Sequence, residues 1–106
     1  MKIVVRVFLV VLALFGLSTW TLAADTAADV YKSKCASCHG PDGKGETAVG
    51  KNLKLKDLAS AEVQKQSDAD LATVIEKGKM PMPGYEGKLT KDQINDLVKH
   101  IRALKK

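Results

Sequence analysis

Several things are scarce in this 106-residue chain, and each scarcity removes a class of function. Aromatic residues make up 5%, too few for a row of base-stacking platforms. The positive charge is spread along the chain, so nothing here points to a nucleic-acid partner. Cysteine and histidine occur twice each. No second closely spaced Cys or His pair exists to complete a structural zinc set, because His100 stands alone. Strand-like alternation is confined to Leu53-Lys54-Leu55-Lys56, and one short strand without a partner cannot make a sheet. No βαβ pattern surrounds the cysteines, which removes the thioredoxin-like reading of a Cys-x-x-Cys pair. No internal repeat, low-complexity tract or second domain is evident.

What is present is Cys35-Ala36-Ser37-Cys38-His39. Two thiols one helical turn apart can each add to a vinyl group of one porphyrin, and a histidine directly after the second is then placed to bind the iron. The segment reads as a site for one haem c attached through Cys35 and Cys38, with His39 as proximal ligand. Ligating histidines usually donate the other ring N–H to a carbonyl or carboxylate.

The first 23 residues read as a signal peptide. Lys2 and Arg6 form a basic region, Val7 to Leu17 is an apolar run, and Thr21-Leu22-Ala23 supplies small residues for cleavage after Ala23, with Ala24 as the alternative cut. The competing reading is a retained anchor, but the run from Val7 to Leu22 is shorter than the ~20 residues a spanning helix wants. Cleavage leaves 83 residues carrying 15 basic against 12 acidic side chains. A core of that size is marginal without a staple. A covalently held porphyrin can be that staple, so the haem-free chain is expected to fold poorly. Lys77, Lys79, Lys88 and Lys91 cluster around the methionine segment and either bias docking toward acidic partners or merely solvate that face.

Helix signals run through the mature chain. Thr26, with Asp29 three residues on, opens a helix to about Ser37. Gly40 to Gly45 is a turn, and Ala48 to Leu58 reads as a loop whose leucines point inward. Ser60 caps a short helix to about Gln66, and Ser67 caps another through Leu71, Val74 and Ile75 to Gly78. Lys79-Met80-Pro81-Met82-Pro83-Gly84 cannot be helical and reads as extended and stiff. Thr90 and Gln93 form a capping box before Ile94, Leu97, Val98, Ile101 and Leu104, an amphipathic helix expected to pack on the first. In an extended segment Met80 and Met82 would point to the same side, so geometry does not choose between them.

Taken together, residues 24–106 resemble a small bacterial class I cytochrome c: all-α, with about four helices wrapped around one covalently bound haem. Asp42-Gly43-Lys44-Gly45 is similar to that family's glycine-rich turn. Gly50-Lys51-Asn52-Leu53 resembles its Gly-Pro-Asn-Leu stretch, whose proline carbonyl accepts the proximal histidine's N–H; here Lys51 replaces the proline. Met82-Pro83-Gly84-Tyr85-Glu86-Gly87-Lys88-Leu89 resembles the Met-Pro-x-aromatic-x-Gly-Lys-Leu pattern that carries the distal ligand, which implies Met82 rather than Met80, leaving Met80 to pack near the haem edge. His100 stands where relatives often carry an aromatic facing Tyr31; it lies on the terminal helix, away from the sixth position. The resemblance implies a soluble periplasmic one-electron carrier, not an enzyme. It would be monomeric, with redox proteins as partners and no stable membrane insertion after cleavage. The rival readings are a haem peroxidase or gas sensor with a labile sixth ligand, or a subunit bound permanently to a reductase or oxidase.

Overall fold

Among the described residues a hydroxyl opens five of the six helices. The structure, a computed structural model, describes residues 25–105, so the proposed leader and its cleavage site lie outside the described residues. Thr26 caps α1 (Ala27–Lys34), Thr47 caps α3 (Ala48–Leu53), Ser60 caps α4 (Ala61–Gln64), Ser67 caps α5 (Asp68–Lys77) and Thr90 caps α6 (Lys91–Ala103). Each side chain accepts a hydrogen bond from a backbone N–H of the first turn, which would otherwise be unpaired. At Thr26 and Thr90 the box is reciprocal, with Asp29 and Gln93 reaching back to the cap's own N–H. The exception is α2 (Ala36–His39), which comes directly after α1 and Cys35 and has no side-chain cap.

Apolar faces at helical spacing meet to make the core. Ile94, Leu97, Val98 and Ile101 of α6 are buried against Val30 and Tyr31 of α1 and Leu71 and Ile75 of α5, with Val63 of α4 beside them. Leu97 is the centre, at 1% exposure. At about 1.5–3 kcal/mol for each fully buried aliphatic chain, the nine buried residues of this cluster form a small core among the described residues. The α1–α6 contact is extended by Tyr31 and His100, whose ring centroids lie 4.7 Å apart. This contact replaces the aromatic pair that the resemblance implies. Arg102 does more than complement a helix end: its Nε bonds Asp68 at 2.9 Å and its Nη1 bonds the Gln64 carbonyl at 2.7 Å, tying α6 to the α4–α5 connection.

The all-α class holds, and no strand is present among the described residues. The fold expected to hold about four helices is built from six helical segments among the described residues, and two stretches differ from the sequence reading. Ala48 to Leu53 is helix rather than loop, ending where Lys54 enters the left-handed region at φ 54°. Leu55 and Leu58 turn toward the larger cavity as expected, whereas Leu53, though it lines the smaller one, is exposed. The methionine segment is a tight turn, not an extended run. Lys79 and Met82 exchange two backbone hydrogen bonds, at 3.1 and 2.8 Å.

Candidate functional site

Cys35 interrupts the first helix, and the break sets the direction in which the next turn leaves. The single turn of α2 carries Cys38 and His39, and Gly40, at φ 82°, lets the chain depart at once. All three successive carbonyls here are occupied. The Thr47 hydroxyl donates to Cys38 O at 2.6 Å, Gly45 N–H to His39 O at 2.7 Å, and the buried Tyr31 hydroxyl to Gly40 O at 2.7 Å.

Beside this segment lies a cavity of about 350 Å³ walled by side chains of α4, α5 and α6 and lined by Cys35, His39, Leu55, Leu58, Tyr85 and Met82 among others. A smaller one of about 220 Å³ adjoins it and shares Cys35, His39, Leu55, Pro81, Met82 and Tyr85 while adding Cys38. The shared residues make the two spaces adjoining parts of one slot. Its charged lining residues are lysines, Lys34, Lys54, Lys56 and Lys79, and no carboxylate lines either space. Of the lysine cluster expected from sequence, Lys77 is engaged with Glu86 at 2.8 Å, and only Lys79 borders the slot.

The turn separates the two methionines. Met82 is half-buried, packs on the core and lines both spaces. Met80 touches the larger space from its rim with 91% of its surface exposed, so it does not pack as expected. The base of the turn is closed by Gly78 and Gly84: a Cβ on Gly78 would lie 2.6 Å from Gly84 N. Tyr85 comes next, its N–H on Ile75 O at 3.0 Å and its hydroxyl on Lys34 O at 2.9 Å, which joins the turn to both α5 and α1.

Burial controls protonation here. Desolvation holds the His39 imidazole below its usual range and so keeps it neutral, the form that ligates metal. Burial, and then the neighbouring Cys38, pushes the Cys35 thiol up, so the free thiol stays protonated. His39 Nδ1 is buried without a hydrogen-bond partner. The Lys51 carbonyl, which the resemblance implies as its acceptor, instead takes the Lys54 N–H at 3.3 Å. No group of three or more His, Cys, Asp or Glu side chains suited to a bare metal ion exists among the described residues. The donor set therefore fits a porphyrin-held iron: two thiols on one turn, a neutral imidazole and a thioether border one apolar slot.

An all-α frame closed around such a slot defines a c-type cytochrome. Comparison with known proteins narrows the class. Residues 22–101 match the family described as cytochrome c oxidase, cbb3-type, subunit III, to which the chain belongs, and with the relatives below this makes it a small monohaem class I cytochrome c. Cytochrome c6 of Nostoc sp. is 35% identical over 89 residues, 82% of this chain and 78% of that protein. Cytochrome c6 of Thermostichus vulcanus is 33% identical over 100 residues, 92% and 87% of the two chains. A solved structure, KustC0563 c-type cytochrome, superposes with a TM-score of 0.71 at 33% identity, covering 77% of this chain and all of that one. The family's cofactor is covalently bound haem c, and Cys35 and Cys38 are the pair spaced to hold it.

Sequence reasoning missed Thr47, and it placed Gly50 only within a family-like stretch without its close packing against the Gly45 and Cys38 carbonyls. Thr47, three residues before a glycine, was a readable cap signal, but the leucine–lysine alternation just beyond it masked the helix. The close approach of Gly50 leaves no mark in a single sequence.

Proposed function

We propose that this chain is a soluble periplasmic one-electron carrier and not an enzyme, exported through the leader at residues 1–23 and working as a monomer. Haem c, held through Cys35 and Cys38, would supply a ferric–ferrous couple, with His39 as proximal and Met82 as distal ligand. The observation that carries this reading is that His39 and Met82 both line the two adjoining spaces, while Met80 is turned outward. The chain's own part is to hold both ligands on anchored backbone and to keep water off them with the apolar wall of Leu58, Val63, Leu71, Ile75, Leu97 and Ile101. Little then needs to reorganise when the charge changes. With His39 and Met82 both holding the iron, no open position would remain for small-molecule chemistry.

Redox proteins with acidic docking faces suit this reading, because lysines supply all the charged side chains at the slot. Lys56 also pairs with Glu62, which tempers the local charge. No described helix is long and apolar enough to cross a membrane. Carbon monoxide tests the ligation: the reduced protein at neutral pH should leave it unbound. Rapid stoichiometric binding would instead favour a peroxidase or gas sensor with a labile sixth ligand.

A further inference from the structure

We infer that Thr47 is a positioning residue for His39, clamping the haem-binding turn to α3 in place of the proline carbonyl that the resemblance implies. The inference rests on His39 being the axial ligand proposed above.

The hydroxyl of Thr47 does two things at once. It donates to Cys38 O at 2.6 Å and accepts from Gly50 N–H at 2.9 Å, so one oxygen joins the peptide immediately before His39 to the first turn of α3. The two backbones are in close contact at the same place. A Cβ on Gly50 would fall 2.3 Å from Gly45 O and 2.7 Å from Cys38 O, closer than such atoms approach. Gly45 in turn donates its N–H to His39 O. The peptide on each side of the His39 Cα is thus fixed by this loop, and Tyr31 secures the next carbonyl.

Side-chain restraint is missing where backbone restraint is strongest. His39 Nδ1 has no acceptor, so no hydrogen bond to the ring sets its orientation, and the usual means of orienting a ligating imidazole is absent. The backbone clamp then becomes the determinant of where the ring points. Removing the Thr47 hydroxyl leaves Cys38 O and Gly50 N–H both without that partner, and it frees the turn on the side from which His39 emerges.

The test uses the haem-loaded protein and two readouts. One is the spread of the hyperfine-shifted haem methyl resonances in the oxidised state, which depends on axial imidazole orientation; the other is the midpoint potential. Thr47→Val should change both, and Thr47→Ser, which keeps the hydroxyl, should restore both. Tyr31→Phe should shift the methyl spread in the same sense but less, and it serves if Thr47→Val does not accumulate. Thr90→Val removes the cap of α6 at a residue that lines neither space, so it should lower the melting temperature and leave both readouts in place. A Thr47→Val protein with the wild-type methyl spread and potential, whatever its melting temperature, would reduce Thr47 to a helix cap and overturn the inference. So would an unmoved spread in Tyr31→Phe if that is the variant measured. The wild-type spectrum judges the ligand assignment separately: without the low-spin pattern of an axial imidazole the assignment itself falls, before any variant is compared.

Discussion

The two sides of the slot are built differently. On the His39 side every carbonyl from Cys38 to Gly40 is engaged, by residues from α1 and from the loop before α3. On the Met82 side the turn is closed on itself by the Lys79–Met82 pair and tied to the rest of the molecule at its base, by the Gly78–Gly84 contact and Tyr85, while its tip carries Met80 into solvent. A soft thioether on a short constrained turn and a stiff imidazole on a clamped one would be two ways of holding the proposed ligands still. The comparison teaches that both sides are positioned through anchored main chain, held by side-chain hydroxyls as much as by backbone groups, rather than through hydrogen bonds to the His39 or Met82 side chains themselves.

The strongest way to break the comparison is to remove what both sides face. A Cys35→Ala/Cys38→Ala chain, expressed without haem, should lose its cooperative thermal transition by circular dichroism, because nine buried side chains are a small core to offset the ordering of the mature chain. A sharp transition would show that the helices need no staple.

Next in size is Gly50→Ala, which forces a Cβ to 2.3 Å from Gly45 O and should cost roughly 3 kcal/mol or more in denaturant unfolding, since backbone on both sides must shift. Gly87 is the control. It has φ 76° but open space around it, so Gly87→Ala should cost only about 1 kcal/mol from backbone strain. Equal costs would mean that the clamp around Cys38 is loose.

Tyr31→Phe should lower stability by about 1 kcal/mol, since Gly40 O keeps its bond from Gly43 N–H at 3.1 Å. Its pH dependence is more telling. Burial chiefly, with Cys35 and Asp42 adding to it, pushes the Tyr31 hydroxyl up to about 12, whereas an unfolded tyrosine ionises near ~10. The folded state therefore holds a proton that the unfolded chain releases. The contribution of this group is complete below that unfolded value and is lost as pH rises toward 12. Wild type should weaken over this window in alkaline melts, and Tyr31→Phe should weaken less steeply. Parallel slopes would place the hydroxyl in water.

The smallest effect concerns the rim. Lys79→Glu should slow electron transfer to an acidic partner by a few-fold, roughly, at low salt and leave it unchanged at high salt. Salt-independent slowing would point to a disturbed turn rather than lost steering.

Much of this was legible in advance, for identifiable reasons. The capping boxes at Thr26 and Thr90 are local chemistry, so α1 and α6 could be read from residues three apart. The stripe of Ile94, Leu97, Val98 and Ile101 required only helical period. The methionine turn could not be read, because proline excludes helix without choosing between extension and reversal. That one ambiguity hid the separation of Met80 from Met82. Arg102 was legible as a charge near a helix end, but its bonds to Gln64 and Asp68 span 38 and 34 positions and depend on how α6 is laid against α5.

The distal ligand is the point on which the account stands, and the weak red absorption band of the oxidised protein, which reports a methionine sulfur on ferric haem, measures it directly. Met82→Leu should abolish the band and Met80→Leu should retain it, because the turn points Met82 into the slot and Met80 out of it. Loss of the band in Met80→Leu with its retention in Met82→Leu would contradict the assignment.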